Sequence, residues 1–557
     1  MAAASPSACI YYHPDGYVTE GRQIMGRHAA GASFLRGFLE ATCGEELWIQ
    51  LEDSRHAAGF EQQARALGRT EPLHVVDRHR LGRLRQAGVV FHSGPDLARE
   101  AHHRSLFGDR SWSLCGLTHT TCTAGVMDAI TSFLTAPVQP WDALICTSQA
   151  VRAQVEQLLA AQEEWLRQRL GITRVTLPQL PVLPLGLHCE DFQTTAADRD
   201  AARRQLGVSD DTLVVLFIGR LSFHAKAHPL ALYQALQRAA EAAGVPVHLV
   251  ECGWHANEPI LAAYAQAARI ACPSVAVTTL DGLDAAQRRQ AWAGADVFCS
   301  LVDNIQETFG ITPVEAMASG LPVVVSDWDG YRDTVRDGLD GFRIPTCMPH
   351  AGLGGDLAAR HALGQDNYDQ YIANTCAFVA VDVEATAAAF TRLFRSPELR
   401  RSLGEAGRQR AREQFDWRAL LPRYQELWRE LNAIRTRSAD TDSAVRAWPA
   451  RPDPYAAFAA YPSERFGLET RLGLVDGEVT AAAERLRRLG SLEMVRYAEA
   501  LLPSSQELIA LLQAIGPRGA TAQALLAPAP PQRRALLFRS LLWLLKLNVI
   551  RRLPPQG

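Results

Sequence analysis

The sequence predicts an α/β protein of two doubly wound domains that face each other across a cleft, followed by a mainly helical domain. Three observations lead to this fold class. A chain of 557 residues is too long for one ordinary domain. Short apolar runs alternate with helical patterns in two separate blocks, and a segment rich in proline and glycine divides the blocks. In such folds ligands bind beyond the C-terminal ends of the strands, so we expect the functional site in the cleft.

The first block predicts a domain over residues 1–190. Five apolar runs in it have the length and composition of buried strands: "ELWIQL", "PLHVVD", "GVVFHSG", "SLCGLTH" and "DALICTS". Helical patterns lie between several of these runs, which is the rhythm of a parallel sheet with crossover helices.

The second block predicts a similar domain over residues 191–415, after the divider "LPQLPVLPLGLHCEDF". Its strands are "TLVVLFIGR", "PVHLVECG", "SVAVTTLDG", "ADVFCSL" and "LPVVVSD". The pattern "GEAGRQRAREQFDWRALLPRYQELWREL" then predicts an amphipathic helix, which we assign to residues 416–435. A polar linker over 436–452 and a mainly helical region over 453–557 complete the chain.

The composition excludes several classes of protein. Hydrophobic residues make up 47% of the chain and charged residues 21%, which is globular, and a net charge of -3 gives no indication of nucleic-acid binding. The 11 cysteines contain no C-x-x-C pair, which favours free thiols in a reducing compartment. The first twenty residues lack the pattern of a signal peptide, and we find no apolar run that could span a bilayer, so we expect a cytoplasmic protein.

Lysine is rare, and one of the two lysines has a notable position. Of 57 Lys and Arg residues only Lys226 and Lys546 are lysine. Gly219 and Arg220 end the predicted strand "TLVVLFI", and Lys226 follows six positions after Arg220. The planar fork of arginine and the point charge of lysine would together clamp a diphosphate. The alternative is a pair of solvated loop cations.

Two glutamates, Glu307 and Glu315, lie eight positions apart in "NIQETFGITPVEAMASGLP". For Glu315 the pattern predicts a capping box with Thr312 as the N-cap, and Gly320 would end the helix. Glu307 instead follows the strand "ADVFCSL", beside a helix N-terminus whose amides and dipole favour an anion. We interpret Glu307 as a ligand-binding acid, with an exposed loop acid as the alternative. Glu315 can serve as a cap and as a ligand-binding acid.

These motifs, in this order, resemble the GT4 family of retaining glycosyltransferases, which have the GT-B fold of two Rossmann-like domains. The resemblance rests on "GRLSFHAK" and on the E-x7-E pattern of "ETFGITPVE", and it extends over roughly residues 8–430. The divider is similar to the interdomain segment of the family, and the helix over 416–435 is similar to the one that crosses back to the first domain. The resemblance implies an acceptor domain followed by a nucleotide-sugar donor domain.

The resemblance also implies roles for individual residues. Arg220 and Lys226 would hold the donor diphosphate and stabilise the leaving nucleotide. Glu307 would lie near the hydroxyls of the transferred sugar, and Glu315 would accept hydrogen bonds from the ribose. The donor-binding positions that act through their backbone would be Gly26, Gly219, Phe309, Gly310 and Ile311.

The same resemblance implies that no metal is needed, because fixed cations and amides stabilise the charge that develops on the diphosphate. We expect no cofactor beyond the co-substrate, a UDP-, GDP- or ADP-sugar. Asp327 and Asp329 in "SDWDG" have a D-x-D spacing. They follow the strand after the helix, and we interpret them as loop residues rather than metal ligands.

Two positions in the first domain are candidates for the site. "GYVTEGRQIMGRH" resembles the glycine-rich loop of the family, where Gly26 would bring the backbone near the donor or acceptor, although the chain has Met25 where the family often has a second glycine. His119 ends the strand "SLCGLTH" and matches a histidine near the transferred sugar, with a structural histidine as the alternative. The predicted catalytic residues are therefore Arg220, Lys226, Glu307 and His119.

The third region is basic towards its end, because residues 508–557 contain no Asp or Glu. The segment "RRALLFRSLLWLLKLNVIRRL" predicts a strongly apolar helix with basic flanks. It would either lie on an anionic membrane surface or pack within a small helical or winged-helix-like domain. A protein contact is equally compatible with it.

The sequence therefore predicts a retaining glycosyltransferase that moves a sugar from a nucleotide-diphosphate sugar to an acceptor hydroxyl on a glycan, a lipid-linked acceptor or a small molecule. Synthesis of cell-surface polysaccharide or glycoconjugate is the expected setting for a cytoplasmic enzyme, with a peripheral position at the inner face of the membrane as one option. Two alternatives stay open. One is a scaffold or sensor that binds a sugar nucleotide without transfer, and the other is a sugar-nucleotide epimerase or a phosphorylase on the same fold.

Overall fold

The computed structural model of the protein describes residues 8–17, 26–438 and 447–554. The chain divides into two compact units, Met1–Pro449 and Ala450–Gly557. The first unit contains two doubly wound α/β domains, which confirms the predicted fold class. The second unit is a small and mainly helical module.

A six-stranded parallel sheet in the order β3-β2-β1-β4-β5-β6 forms the centre of the first domain. Successive side chains alternate between the two faces: Ile10 packs in one hydrophobic core and Cys9 in the other. Helices cover both faces, which explains why these strands read as short apolar runs. The strands are β1 Cys9–Tyr11, β2 Leu47–Gln50, β3 Leu73–Val76, β4 Val89–Phe91, β5 Ser113–Leu117 and β6 Ala143–Ile145. The helices are α1 Pro14–Tyr17, α2 Gly26–Ala41, α3 Ala57–Ala66, α4 Leu84–Ala87, α5 Ala98–Ser105, α6 Ala124–Thr131 and α7 Gln149–Leu170.

The second domain has its own six-stranded parallel sheet, in the order β12-β11-β10-β7-β8-β9. The strands are β7 Leu213–Ile218, β8 Val247–Gly253, β9 Ala276–Asp281, β10 Val297–Ser300, β11 Val323–Ser326 and β12 Gly341–Ile344, and a separate antiparallel pair is β13 Thr346–Cys347 with β14 Ala380–Val381. The helices are α8 Ala196–Leu206, α9 Leu230–Ala243, α10 Glu258–Ala271, α11 Ala285–Gly294, α12 Ile311–Ser319, α13 Tyr331–Thr334, α14 Gly355–Ala362, α15 Tyr368–Cys376, α16 Val383–Arg395, α17 Pro397–Arg410 and α18 Trp417–Arg437.

Both sheets have the same topology, since the strand order of the second sheet reads 3-2-1-4-5-6 when its strands are numbered from β7. The order reverses direction between the first and fourth strands, which are β1 and β4 in one sheet and β7 and β10 in the other. Ligands of doubly wound sheets bind at this switch point, beyond the C-terminal ends of the two strands. The fold therefore indicates the loops after β7 and β10 as the candidate ligand site of the second domain.

Helix α18 belongs to the core of the first domain although it follows the second in sequence. Trp417, Tyr424 and Trp428 pack in one hydrophobic cluster with Phe34 and Phe38 of α2. The indole Nε1 of Trp417 donates a hydrogen bond to the Ser33 hydroxyl at 2.8 Å. Burying three large aromatic side chains contributes roughly 1.5–3 kcal/mol each, so this contact holds the two domains together.

The second unit contains a three-stranded antiparallel sheet in the order β16-β15-β17. Its apolar helix α24 buries Leu537, Leu541 and Leu544 in the core of the module, as expected for the packed-helix interpretation. The strands are β15 Arg471–Leu474, β16 Ala520–Thr521 and β17 Ile550–Arg552, and the helices are α19 Pro454–Ala457, α20 Val479–Gly490, α21 Glu493–Arg496, α22 Ser505–Ile515, α23 Ala522–Leu526 and α24 Pro531–Lys546.

Within the predicted linker over 436–452, residues 439–446 lie outside the described residues, and the first two residues belong to α18, which ends at Arg437. Across the three described ranges, each helix is too short or too polar to cross a lipid bilayer.

Candidate active site

The first half of the candidate site is the turn that follows β7. Gly219 has φ of 149°, a conformation that favours glycine, and its carbonyl oxygen would lie only 1.9 Å from a Cβ placed on Gly253. Arg220 then donates from Nη2 to the carbonyl oxygen of Ala225 at 2.6 Å. The amide of Lys226 donates to the Ser222 carbonyl at 3.0 Å. This short, internally bonded turn brings both cations to the end of the strand.

The second half is the loop after β10, which delivers Glu307 to Lys226. The Lys226 ammonium contacts a carboxylate oxygen of Glu307 directly, and the two side chains are 21% and 13% exposed. Burial by itself raises the pKa of the Glu307 carboxyl, but the Lys226 charge and the amides of Thr308 and Gly310 outweigh it and lower the pKa. Glu307 is therefore ionised at neutral pH. The structure brings together residues that lie 81 positions apart.

Helix α12 begins at Ile311, which makes the predicted capping box wrong. The N-cap is Gly310, with φ of 74°, and among the described residues no side chain caps this helix. A Cβ on Gly310 would lie 1.8 Å from the ring of Tyr331, so tertiary packing requires glycine here and shifts the helix start ahead of Thr312. Gly320 ends the helix in the left-handed conformation, as predicted.

Without a capping role, Glu315 is a carboxyl group on the first turns of α12. Burial raises its pKa to about 7, and the charges of Arg288 and Lys226 act in the opposite direction. The side chain is only half-buried. An acid that ionises near neutral pH beside two cations is suited to accept hydrogen bonds from a polar ligand.

The backbone between the two glutamates is held by packing rather than by solvent-facing contacts. The ring of Phe309 is 2% exposed and lies edge-on to Phe415, with 6.1 Å between the centroids. Ile311 is the first residue of α12, so its amide belongs to the unpaired N-terminal turn. The predicted donor positions Phe309, Gly310 and Ile311 therefore line the start of one helix.

The two aspartates of "SDWDG" point to different partners. Asp327 lies 3.7 Å from Arg332 and 3.5 Å from Arg343, measured between the carboxylate and guanidinium atoms. Asp329 has φ of 42° and accepts a hydrogen bond from the Ser148 hydroxyl at 3.0 Å. Two causes raise the pKa of Asp329 to about 8: burial is the larger and the nearby Glu307 charge the next.

Ser148 and Gln149 of the first domain contact the second domain beside the site. Ser148 bonds to Asp329, and the amide of Gln149 donates to Asp333 at 2.6 Å. Sequence reasoning missed this contact. The signal available was the position of Ser148 at the end of the run "DALICTS", where α7 begins with Ser148 as its N-cap.

The two predicted first-domain residues have different outcomes. His119 follows β5, and its Nε2 donates to the carbonyl oxygen of Ser93 at 2.8 Å. Gly26 is the first residue of α2, and residues 18–25 of the preceding loop lie outside the described residues. The structure thus places His119 at a strand end of the first sheet and leaves the loop before Gly26 as a prediction.

The switch point of the first sheet carries aromatic groups that the sequence did not single out. Tyr11 is the last residue of β1 and stacks on His92, which follows β4, with 4.8 Å between the ring centroids. Burial lowers the pKa of His92, so its imidazole is neutral at neutral pH. Glu100 of α5 accepts a hydrogen bond from Gln50 at 3.4 Å beside this pair.

Comparison with known proteins gives a family match in the second domain. Residues 198–352 match the model of the family described as glycosyl transferases group 1. This range contains Arg220, Lys226, Glu307 and Glu315.

Curated relatives carry glycosyltransferase names. A D-inositol 3-phosphate glycosyltransferase from Geodermatophilus obscurus is 32% identical over 246 residues, which is 42% of this chain and 51% of the relative. A phosphatidyl-myo-inositol mannosyltransferase from Mycobacterium tuberculosis is 32% identical over 188 residues, or 33% of this chain and 43% of the relative. The chain thus spans about half the length of the curated relatives it matches.

Solved structures resemble the chain over a longer range at lower identity. An Anabaena protein crystallised with UDP and glucose has a TM-score of 0.48 and 15% identity, covering 76% of this chain and 99% of that protein. Sucrose-phosphate synthase from Thermosynechococcus elongatus has a TM-score of 0.46 and 18% identity, covering 76% and 98%.

Proposed function

We propose that the protein is a retaining glycosyltransferase, on the premise that residues 198–352 of its second domain match the family described as glycosyl transferases group 1. It takes a sugar from a nucleotide-diphosphate sugar and transfers it to an acceptor hydroxyl. The single observation that supports this most strongly is the contact between Lys226 and Glu307 beside Arg220, at the switch point of the second sheet.

The arrangement suits a diphosphate that gains negative charge as the sugar leaves. Arg220 offers a planar guanidinium, Lys226 offers a compact charge, and the first amides of α12 offer unpaired donors. Groups fixed in advance around a developing charge stabilise the transition state, typically by 10²- to 10³-fold for each donor. We therefore expect turnover without a metal, since these groups supply the positive charge.

In this proposal Glu307 holds the Lys226 ammonium until the donor binds. An arriving phosphate oxygen takes over the ammonium, and the Glu307 carboxylate then accepts hydrogen bonds from hydroxyls of the transferred sugar. Glu315 accepts from the ribose hydroxyls, which requires its ionised form. His119 lies on the acceptor side, near the transferred sugar.

The proposed chemistry is attack on the same face as the leaving group. The acceptor oxygen forms a bond to the anomeric carbon, the bond from that carbon to the diphosphate oxygen breaks, and the acceptor proton moves to the departing diphosphate. Configuration at the anomeric carbon is retained. This route requires no side-chain base, because the leaving phosphate is the proton acceptor.

For the setting of the reaction, we propose synthesis of a cell-surface polysaccharide or glycoconjugate. The relatives named above are described as acting on inositol 3-phosphate and on phosphatidyl-myo-inositol, which are a polar and a lipid-linked acceptor. A cytoplasmic enzyme at the inner face of the membrane would reach acceptors of either kind.

The test is a donor screen on the full chain that follows release of UDP, GDP and ADP from nucleotide sugars. The wild type is compared with Lys226→Ala, Glu307→Ala and the matched control Lys546→Ala, which removes the other lysine of the chain. We expect nucleotide release by the wild type and Lys546→Ala, and strongly reduced release by the two site variants. Tight binding without transfer or hydrolysis would favour the scaffold alternative, and isomerised sugar nucleotide would favour the epimerase.

A further inference from the structure

A segment of the second domain lies between the paired strands β13 and β14. Thr346 pairs with Val381 and Cys347 with Ala380. The two ends of the segment between these strands are therefore side by side. The intervening residues carry α14 and α15. Helix α15 lies beyond the residues 198–352 that match the family model, so its contacts are not part of that match.

Tyr368, the first residue of α15, touches both Rossmann-like domains with one hydroxyl group. The hydroxyl donates to Oε1 of Gln306 in the second domain at 3.1 Å. It lies 3.6 Å from Sγ of Cys122 in the first domain, a distance within reach of a hydrogen bond to sulfur. Since Tyr368 donates its proton to Gln306, the thiol of Cys122 is the donor in the second contact. Burial raises the pKa of Tyr368, so the hydroxyl stays neutral and can donate.

Gln306 connects the Tyr368 hydroxyl to the two cations of the site. Its Nε2 donates to the carbonyl oxygen of Ala225, which also accepts from Arg220. Ala225 immediately precedes Lys226, and Gln306 immediately precedes Glu307. One chain of hydrogen bonds therefore connects Tyr368 to the turn and the loop that hold the Lys226–Glu307 pair.

On the first-domain side, Cys122 lies three residues after His119. Thr120 in the same loop lies 3.2 Å from Cys122 Sγ, measured from its hydroxyl oxygen. A small apolar cluster supports the junction, with Cys122, Ala225 and Ile372 exposed by only 7%, 1% and 0%. Tyr371 packs against this cluster, and its ring stacks on His361 with 4.2 Å between the centroids.

We propose that Tyr368 is a positioning residue that couples contact between the two domains to the placement of Arg220 and Lys226, a role that rests on the proposed function. When the loop of His119 and Cys122 meets α15, the Tyr368 hydroxyl is fixed between Cys122 and Gln306. Gln306 and Arg220 then hold the Ala225 carbonyl from two sides. The cations are thus aligned for a diphosphate only while the acceptor-side loop is docked.

The first test compares Tyr368→Phe with Tyr371→Phe in the full chain. Each variant removes one hydroxyl from the same helix, but only the first breaks the chain to Gln306. We expect Tyr368→Phe to lower kcat for the donor identified in the screen by about three- to tenfold, as for the loss of one buried hydrogen bond. KM for the acceptor should change little, and Tyr371→Phe should resemble the wild type. Equal kcat values for the two variants would overturn the proposal.

A double-mutant cycle with Gln306→Leu separates positioning from general loosening. Tyr368→Phe and Gln306→Leu should each lower kcat, and the double variant should be no slower than Gln306→Leu alone, because both act through one chain of bonds. Multiplicative losses would contradict the coupling.

The second test does not depend on activity. Cys122 is buried beneath Tyr368, so its alkylation rate, followed by peptide mass spectrometry, reports separation of the two domains, and exposed Cys43 is the internal control. We expect alkylation of Cys122 to be several-fold faster in Tyr368→Phe than in Tyr371→Phe, with Cys43 unchanged. If no nucleotide sugar is turned over, the proposed function fails. Equal alkylation rates of Cys122 in the two variants would overturn the proposed contact between Tyr368 and Cys122.

Discussion

Two ion pairs, one in each Rossmann-like domain, differ in the number of partners around them and in their access to the cleft. Arg104 and Asp142 of the first domain are fully buried, with guanidinium nitrogens 2.5 Å and 2.9 Å from the carboxylate oxygens. Four backbone groups surround them: the carbonyls of Trp112 and Pro137, and the amides of Leu114 and Gln139. This pair is enclosed and cannot exchange a partner with a ligand.

The pair of Lys226 and Glu307 in the second domain is shielded but not enclosed, because both side chains keep some exposure to solvent. Ion pairs of the same chemical kind therefore serve two different purposes in this protein. A charge pair with many fixed partners stabilises the fold, and a charge pair at a switch point is poised to change partners when an anion arrives.

The largest expected effect follows from breaking the enclosed pair of Arg104 and Asp142. Arg104→Ala leaves a buried carboxylate without its cation, which should lower the free energy of unfolding by about 3–5 kcal/mol. Chemical denaturation measures the loss. The control is Arg167→Ala, which removes a partner of Glu163 on the exposed face of α7 and should cost less than about 1 kcal/mol. Equal costs for the two variants would show that the Arg104 pair is not structural.

The next effect concerns the open pair and appears in activity rather than in stability. Lys226→Ala should lower kcat/KM for the nucleotide sugar by about 10²- to 10³-fold, since it removes a fixed cation from the leaving group. Lys226→Arg should restore only part of the rate, because the planar fork differs from a point charge. Initial-rate measurements test this, and a variant with wild-type kcat/KM would exclude Lys226 from the site.

A smaller effect is a pH dependence of nucleotide binding through Glu315. Its pKa of about 7 is above the ordinary value for glutamate, so the carboxylate that accepts from ribose forms only as the pH rises through 7. Affinity for the nucleoside diphosphate should therefore fall by about tenfold from pH 8 to pH 6 through this group. Calorimetry at both values tests it. In Glu315→Gln the affinity should still vary with pH through the ligand's own phosphates, but the tenfold fall that depends on Glu315 should disappear. The same pH dependence of affinity in the wild type and in Glu315→Gln would contradict the role of Glu315.

The smallest effect checks the helix that carries Glu315. Thr312→Ala should change the free energy of unfolding by less than about 0.5 kcal/mol, because Gly310 and not Thr312 is the N-cap. Thr195→Ala in the same domain removes a capping box that is formed, with Asp198 as its partner, and should cost about 1 kcal/mol. Equal losses for the two variants would contradict the assignment of Gly310 as the N-cap.

Local patterns predicted five of the six strands of each sheet, but not β1 and β12. They also predicted the Lys226–Glu307 half of the site, because strand ends at a switch point converge in any doubly wound fold. The start of α12 was missed since it depends on the ring of Tyr331, which no local spacing reveals. Tyr368 was missed for the same reason. Its partners Gln306 and Cys122 are 62 and 246 positions away, so only the folded chain brings them together.

The most direct test of the central proposal is proton NMR of the anomeric centre during turnover of the donor found in the screen. We expect a nucleoside diphosphate to be released while the sugar in the product keeps the anomeric configuration that it had in the donor. In Lys226→Ala we expect the product signal to grow about 10²- to 10³-fold more slowly, and in Lys546→Ala at the rate of the wild type. An inverted product, or equal product formation with and without Lys226, would contradict the account.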